Sequence, residues 1–525
     1  MNNSDDFGIN SQDDLPWRHC RVHSLGARGS GIVQFCNYHF RFPQTNQKDK
    51  AEIDEMTEKQ PSRAKPSSSV DEAESPAHND PNEESRPARD WSHGKKLRTT
   101  FLVGCLRFVS SLAASSPSFA LPIIASEFGT VGNRQLTALP LSAFLLGYIF
   151  GPLLIAPLSS TFGRVRVLQC SCLVFVIFNT AAGVANTNWS LSVFRFLSGF
   201  GGSGPVTLGI GILTDCWTAD ERTRMIPVYT LPVQLGPAVA PIVGAFITKH
   251  LTWRWSFFCI SIASTIVQVV GVIFLRETHV PLMSSDTSGA EKKILLAAVN
   301  EAFQRPMRIF TLHATTQLLA LYAAVTYAIV YMSFVSFEDV WGHGYGQRSD
   351  LASLNFIAIA VGEIGGSLGV RPFNVWLYRK LTMQSDRVDL ARPEYRTPAL
   401  VFGALLLPAG LLLFGWSAQS RLFPVVPDLG VALYAAGEVI VLQFTSLYIA
   451  DVYEQRATDA MAGVYILRCL VGFGLSIVTP SMFHRLGYGF GNTLLAGIAV
   501  VIGWPLPWMI WAYGAKLRQR DQIHT

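Results

Sequence analysis

Charge is scarce in this 525-residue sequence: Asp, Glu, Lys and Arg together make up 15% of it, against about 25% in a soluble chain. The scarcity is uneven. Residues 1–97 hold 29 charged side chains, and the other 428 residues hold only 50. So long a segment with so little charge cannot cover a soluble globule, which excludes an ordinary soluble enzyme. The net charge of +5 forms no compact basic block outside loops, so nucleic acid is excluded as a partner. Cysteine is sparse too: 8 in all, with no C-x-x-C pair and no Cys/His cluster of zinc spacing. Cys105, Cys170, Cys172, Cys259 and Cys469 lie inside apolar runs and read as small buried hydrophobes. The first 30 residues lack the apolar stretch of a secretory signal, so the first apolar helix is expected to act as the insertion signal. No G-x-x-x-x-G-K-[ST] phosphate loop occurs, which disfavours an ATP-driven pump. His313, His343 and His484 are scattered, so no enzymatic activity and no metal site is expected.

What the sequence has in plenty is apolar length. Beyond residue 97, runs of about 20 apolar residues alternate with short polar or Gly/Pro-containing breaks, and 20 helical residues cross a hydrocarbon core of about 30 Å. The runs lie near 101–125, 137–159, 167–187, 190–213, 226–247 and 254–275, then near 309–336, 352–373, 398–418, 429–450, 460–482 and 491–513. This predicts an all-α integral membrane protein of twelve transmembrane helices in two six-helix bundles. Continuous rather than alternating hydrophobicity excludes a β-barrel. With the amino terminus placed in the cytoplasm, the connections on that side carry 24 Lys/Arg and the opposite ones 6, so both termini are expected inside. The expected divisions are a disordered cytoplasmic tail over 1–97, an amino-terminal bundle over 98–275, a cytoplasmic linker over 276–308, a carboxyl-terminal bundle over 309–513 and a cytoplasmic tail over 514–525. The tail is rich in Glu, Asp, Ser and Pro between 47 and 95 and cannot offset its ordering entropy by burial; its first 55 residues are expected to be dispensable, since Met56 offers a second start. Two six-span bundles joined by a linker are the layout of many secondary transporters.

Several motifs carry mechanism. Between the second and third helices stands Pro157-Leu158-Ser159-Ser160-Thr161-Phe162-Gly163-Arg164-Val165-Arg166. Gly163 permits a sharp turn there, and Arg164 and Arg166 can reach a neighbouring helix end, which makes a cytoplasmic gate. The fourth helix holds Arg195 ahead of Gly199, Gly201 and Gly202. A charge inside the bilayer costs several kcal/mol unless paired or hydrated, so Arg195 either serves function or snorkels to the outer surface. The glycines after it suit close helix packing. In the fifth helix, Gly236-Pro237 with Pro241 and Gly244 makes a pliant segment, because each proline removes an intrahelical bond. Glu363 lies mid-way along the eighth helix, Glu438 in the tenth, Arg107 in the first and Arg468 in the eleventh. A carboxyl away from bulk water can exchange protons near neutrality, so either glutamate suits a proton carrier or a cation site, against a structural hydrogen bond. Arg468 is expected to be an ion-pair partner, and Arg107 either snorkels or faces the cavity. Tyr322, Tyr327, Tyr331 and Phe334 on the seventh helix suit stacking on a planar drug or interface packing. Asn188-Trp189-Ser190 is a glycosylation sequon in an outer loop so short that the asparagine should hug the membrane.

The turn motif resembles the G-x-L-x-D-R-x-G-R signature of the major facilitator superfamily, with Ser160 at its acidic position and Val165 after Arg164. Arg195 to Gly199 resembles the superfamily's R-x-x-x-G pattern, and residues 231–244 resemble its antiporter motif. With Trp253-Arg254-Trp255, Arg276-Glu277-Thr278, Arg392-Pro393-Glu394-Tyr395-Arg396 and Ala450-Asp451-Val452-Tyr453, the chain is similar over residues 98–518 to the fungal twelve-spanning drug:proton antiporters. The resemblance implies a proton-coupled exporter of a drug, toxin, polyamine or secondary metabolite, working by alternating access. It implies a proton gradient in place of any cofactor, small-molecule substrate, protons and lipid bilayer as partners, and a monomer in the plasma membrane, with the vacuolar membrane as the alternative. Arg195 is then implicated in proton coupling. The competing readings are proton-coupled uptake of a small nutrient and a non-transporting membrane sensor on the same fold.

Overall fold

The computed structural model describes residues 88–278, 304, 314–383, 393–453 and 457–523. The expected disordered tail up to residue 87, and the 276–308 linker beyond Thr278 apart from residue 304, lie outside them. Among the described residues all regular structure is helical. The amino half comprises α1 (His93–Ser115), α2 (Arg134–Phe162), α3 (Arg164–Gly183), α4 (Asn188–Gly202, continued as Gly204–Cys216), α5 (Ala219–His250) and α6 (Arg254–Phe274). The carboxyl half follows with α7 (Ala314–Phe337), α8 (Ile357–Met383), α9 (Thr397–Gln419) and α10 (Val425–Tyr453). Its last hydrogen-bonded stretch, Ala457–Gly503, breaks at Gly487, where φ is 75° and ψ 170°. That divides it into α11 (457–486) and α12 (488–503), with Pro505–Ile523 beyond.

Ten segments among the described residues are long and apolar enough to cross a membrane. The last, Ala460–Gly514, is 55 residues long, or about 80 Å, more than twice a hydrocarbon core. It is two spans joined at Gly487. The 32-residue α5 makes the twelfth, since its residues 226–247 hold no charged side chain and are long enough to cross. Two expected boundaries shift. Helix α1 begins at His93 rather than 98, because Trp91 is buried ahead of it and the Lys95 ammonium lies 4.2 Å over its ring. The final helix runs past 513 to Ile523, since Ala515-Lys516-Leu517-Arg518-Gln519-Arg520 are strong helix formers even where they are polar.

The face on which α1 begins and the α2–α3 turn lies is the near face; the α1–α2 connection marks the far face. Within the amino half α2 and α4 cross backbone to backbone: a Cβ at Gly147 would strike the Phe196 carbonyl, and one at Gly199 the Phe144 carbonyl. The two halves meet where α2 packs on α11 and α5 on α8. Among the described residues, their polar links lie toward the far face. Ser142 and Ser476 share a hydrogen bond of 2.6 Å, and the Tyr331 hydroxyl donates to the Ala114 carbonyl at 3.1 Å. Ser118 donates to the Phe334 carbonyl, and the Lys249 ammonium stands 2.7 Å from the Asp350 carboxylate. An aromatic plug lies beside them, with Phe119 5.7 Å from Phe356 and Phe356 stacked on Phe334 at 5.5 Å. The structure is closed at its far face.

Prolines within the helices leave carbonyls without their usual donors, because the residue four positions on lacks an N–H. Side chains from other helices take up three of them. Pro140 frees the Leu136 carbonyl, which accepts from Asn188 Nδ2 at 2.8 Å; Pro241 frees the Pro237 carbonyl, which accepts from Ser115 Oγ at 3.1 Å. Pro408 frees the Ala404 carbonyl, which accepts from Trp504 Nε1 at 3.0 Å. Each such bond fixes two helices in register.

Candidate functional site

The densest charge in the membrane interior lies in the carboxyl half. Helices α8 and α10 touch closely, since a Cβ at Gly366 would come within 2.8 Å of the Ala436 carbonyl. That approach brings Glu363 beside Glu438, near enough for the two carboxylates to repel each other. Both are buried, as is Arg468 on α11. Arg468 Nη2 stands 3.9 Å from Glu438 Oε1, an ion pair too long to be a hydrogen bond. The same guanidinium lies 4.3 Å over the Tyr327 ring and 5.9 Å from that of Tyr465. Glu363 Oε2 and Arg468 Nε are buried with no hydrogen-bond partner. Only Glu438 of the two carboxylates meets the guanidinium among the described residues, and loosely, so a proton on Glu438 releases that pair.

Tyr327 and Tyr465 are only half buried, although both sit mid-helix within the bundle. Tyr465 reaches across the junction of the halves, its ring 6.2 Å from that of Tyr148 on α2. Tyr148 is tied in turn to Ser110 on α1 by a hydrogen bond of 2.6 Å. Tyr322, by contrast, is fully buried in a separate apolar cluster with Leu400 and Phe444 and faces no part of this site. Arg107 does not snorkel: its guanidinium lies 4.6 Å over the Tyr229 ring, inside the amino half.

Arg195 is fully buried and meets no carboxylate among the described residues. Its Nε donates to the Pro140 carbonyl at 3.1 Å, Nη1 to Ala113 at 2.8 Å and Nη2 to Ala114 at 3.2 Å. The guanidinium also packs 4.4 Å over the Phe144 ring. The last two carbonyls belong to the final turn of α1, where Pro117 brings no N–H to Ala113. A cation at a helix C-terminus complements the dipole there, so Arg195 ties α4 to the ends of α1 and α2. It neither reaches the outer surface nor faces water.

The α2–α3 turn closes on a network of its own. Gly163 adopts φ 99°, open to glycine alone without strain. Arg164 Nε pairs with Asp215 at the end of α4 at 3.0 Å. The Glu277 carboxylate accepts from the backbone N–H groups of Arg164, at 2.7 Å, and of Val165 and Arg166, so it caps α3. Thr278 donates to Asp215 at 3.1 Å. The Arg166 side chain is exposed. Acidity missing at Ser160 is therefore supplied by Asp215 and Glu277, neither of which the turn motif itself points to. The carboxyl half repeats the pairing at the same level, with Arg396 Nε 2.7 Å from Asp451 Oδ2.

On α5 the expected pliant helix packs against α1: a Cβ at Gly236 would come within 2.7 Å of Ser111 Oγ, and one at Gly244 within 2.6 Å of the Ser116 carbonyl. Asn188 is buried, and the nitrogen that would carry a glycan is engaged with Leu136; the sequon is not presented. An apolar groove of about 640 Å³ lies on the flank of α3 and α6, lined by Trp255, Phe258, Ile262 and Ile266 among others, away from all these charges.

The sequence pattern of the Major Facilitator Superfamily matches residues 103–477. The chain is 35% identical over 448 residues to "Efflux pump vrtL" of Penicillium aethiopicum, covering 82% of this chain and 88% of that one. It is 34% identical over 463 residues to "MFS-type transporter oryF" of Aspergillus oryzae, covering 85% and 96%. Among solved structures it is similar to the peptide transporter POT in complex with sulfate, with a TM-score of 0.61 at 16% identity over 83% of this chain and 98% of that one. It is also similar to the xylose transporter XylE from E. coli in a partially occluded inward-open conformation, with a TM-score of 0.58 at 16% identity, covering 80% and 99%. These structures bear on the fold alone.

Proposed function

Because the chain belongs to the Major Facilitator Superfamily, among its fungal efflux-type transporters, we propose that it exports a small amphipathic organic compound in exchange for protons. It is a transporter and not an enzyme. The observation that carries the proton-coupled reading is the buried group of Glu363, Glu438 and Arg468 in the middle of the carboxyl half. A proton on Glu438 cancels its attraction for Arg468. Arg468 sits on α11, which packs against α2 where the halves meet. Loading and unloading of the proton therefore alters a contact on the helix about which the halves would rock. The near face, with its excess of Lys and Arg, is cytoplasmic in this reading, and the protein acts as a monomer in the plasma membrane. The far-face links of Ser142–Ser476 and Lys249–Asp350 then close the outer side, leaving compound to enter from the cytoplasm.

The test uses the purified chain in lipid vesicles with an imposed pH difference and a panel of fluorescent amphipathic compounds. Wild type should concentrate at least one of them against its gradient. Glu438→Gln keeps the shape of the side chain but cannot titrate; it should bind the compound and fail to concentrate it. Concentration by Glu438→Gln under a pH difference alone refutes its role as proton carrier.

A further inference from the structure

Among the described residues three arginines lie deep within the spans, and they differ in what answers their charge. Arg195 spends its nitrogens on three backbone carbonyls, and Arg468 stands against Glu438 and two tyrosine rings. Arg107 is different. Its Nε and Nη1 are buried without a hydrogen-bond partner, and no carboxylate pairs with it among the described residues. The side chain shares a helix face with Gly104, Ser110 and Ser111, at spacings of three and four residues. That face looks into the bundle: Gly104 packs on the Tyr229 backbone, and Ser110 holds the Tyr148 hydroxyl. Arg107 is itself close enough to that hydroxyl to act on it electrostatically. Tyr148 then leads across the junction to Tyr465. A guanidinium left unpaired at this depth costs several kcal/mol unless something answers it. Carbonyls answer Arg195 and Glu438 answers Arg468, whereas among the described residues Arg107 meets neither a carboxylate nor a carbonyl, only Tyr229. Its planar fork matches a carboxylate bidentately, and the neighbouring tyrosine rings offer flat faces beside it.

We propose that Arg107 anchors the transported compound, and that this compound is a planar aromatic acid bound as its anion. The inference rests on reading the space between the halves as the transport route, and it names the charge of the substrate where that reading leaves it open. The probes are three compounds of one shape: naphthalene-2-carboxylate, naphthalene-2-carboxamide and naphthalen-2-ylmethylammonium. Binding of each to the purified full chain in lipid nanodiscs is measured at one pH with no gradient. Wild type should bind the carboxylate about ten-fold or more tighter than either of the others, as expected for a charge-assisted pair. Arg107→Gln should abolish that preference, and Arg107→Lys should keep part of it. The proposal is overturned if the amide or the ammonium binds as tightly as the carboxylate, if none of the three binds, or if Arg107→Gln retains the preference. The wild-type comparison stands even where a variant fails to fold. Because no gradient is present, these outcomes leave proton coupling untouched; failure of gradient-driven transport with the preference intact would instead refute the coupling and leave Arg107 in place.

Discussion

Replacing Arg195 by alanine should unfold the amino half before it uncouples anything. The side chain is fully buried and makes three hydrogen bonds to carbonyls of α1 and α2. Bonds from a charged donor contribute about 1.5–3 kcal/mol each. All three carbonyls lose this donor; Ala114 keeps Tyr331 and Pro140 keeps the N–H of Phe144 along α2, so Ala113, with Pro117 four positions on, is left unanswered. The removal also takes a guanidinium off the Phe144 face and leaves a void. Relief of the cost of burying a charge offsets part of this, and breaking such a buried arrangement by deleting one partner typically costs about 3–5 kcal/mol. Arg195→Lys retains the charge but presents one point donor in place of a fork, so it should recover less than half of the loss. Thermal unfolding of the purified variants in detergent, followed by tryptophan fluorescence and by the monomer peak on gel filtration, reads the effect directly. The expected order of stability is wild type, Lys, Ala, with several degrees between the first and the last. Alanine and wild type melting together, with transport lost only in alanine, would refute a structural role and return Arg195 to the coupling machinery.

Asp350→Asn and Lys249→Met should each loosen the far face and raise several-fold the rate at which a membrane-impermeant maleimide labels a cysteine placed at Ser476, while the exchanged pair Lys249→Asp/Asp350→Lys should restore slow labelling. Cysteines at both Ser142 and Ser476, whose oxygens are 2.6 Å apart, should form a disulfide under oxidation, stop transport, and regain it with reductant; unimpaired transport by the cross-linked form would mean that this contact need not open. Asn188→Ala should migrate on a gel like wild type, with no shift from endoglycosidase, yet be less stable by about 1–3 kcal/mol because the Leu136 carbonyl is left unanswered; a mobility shift would contradict it.

Much of the architecture can be read directly from the sequence, because an apolar run of about 20 residues has one use in a chain this poor in charge. Arg468 could be expected to pair with a carboxylate for the same reason: an isolated charge inside the bilayer is too costly to leave alone. What could not be read is which residues pair. Arg164 meets Asp215 some 50 positions on, and Glu277 caps α3 from more than 110 positions away. Glu277 stands in a motif stretch of its own, but no local pattern ties either acid to the turn, since both meet it only after α4 and α6 have packed. Arg195 misleads for a related reason. A buried arginine invites a search for an acid, but its partners are carbonyls, which every residue carries and no composition reveals.

The carbonyls freed by prolines bear on how such a chain enters the membrane. Helices are delivered from the amino end, so each freed carbonyl must wait for a donor that has not yet been made. Leu136 waits for Asn188, two helices later; Ala404 waits for Trp504, 100 positions on and nearly at the end of the chain. Pro237 is the exception, since Ser115 is already in place when α5 arrives. In lipid an unanswered carbonyl costs several kcal/mol, so the early helices stay less than fully committed until the late ones dock. A chain cut short after α9 carries a polar site facing hydrocarbon that only the missing residues can cover, which gives the quality-control machinery of the membrane a chemical mark by which to tell the unfinished protein from the finished one.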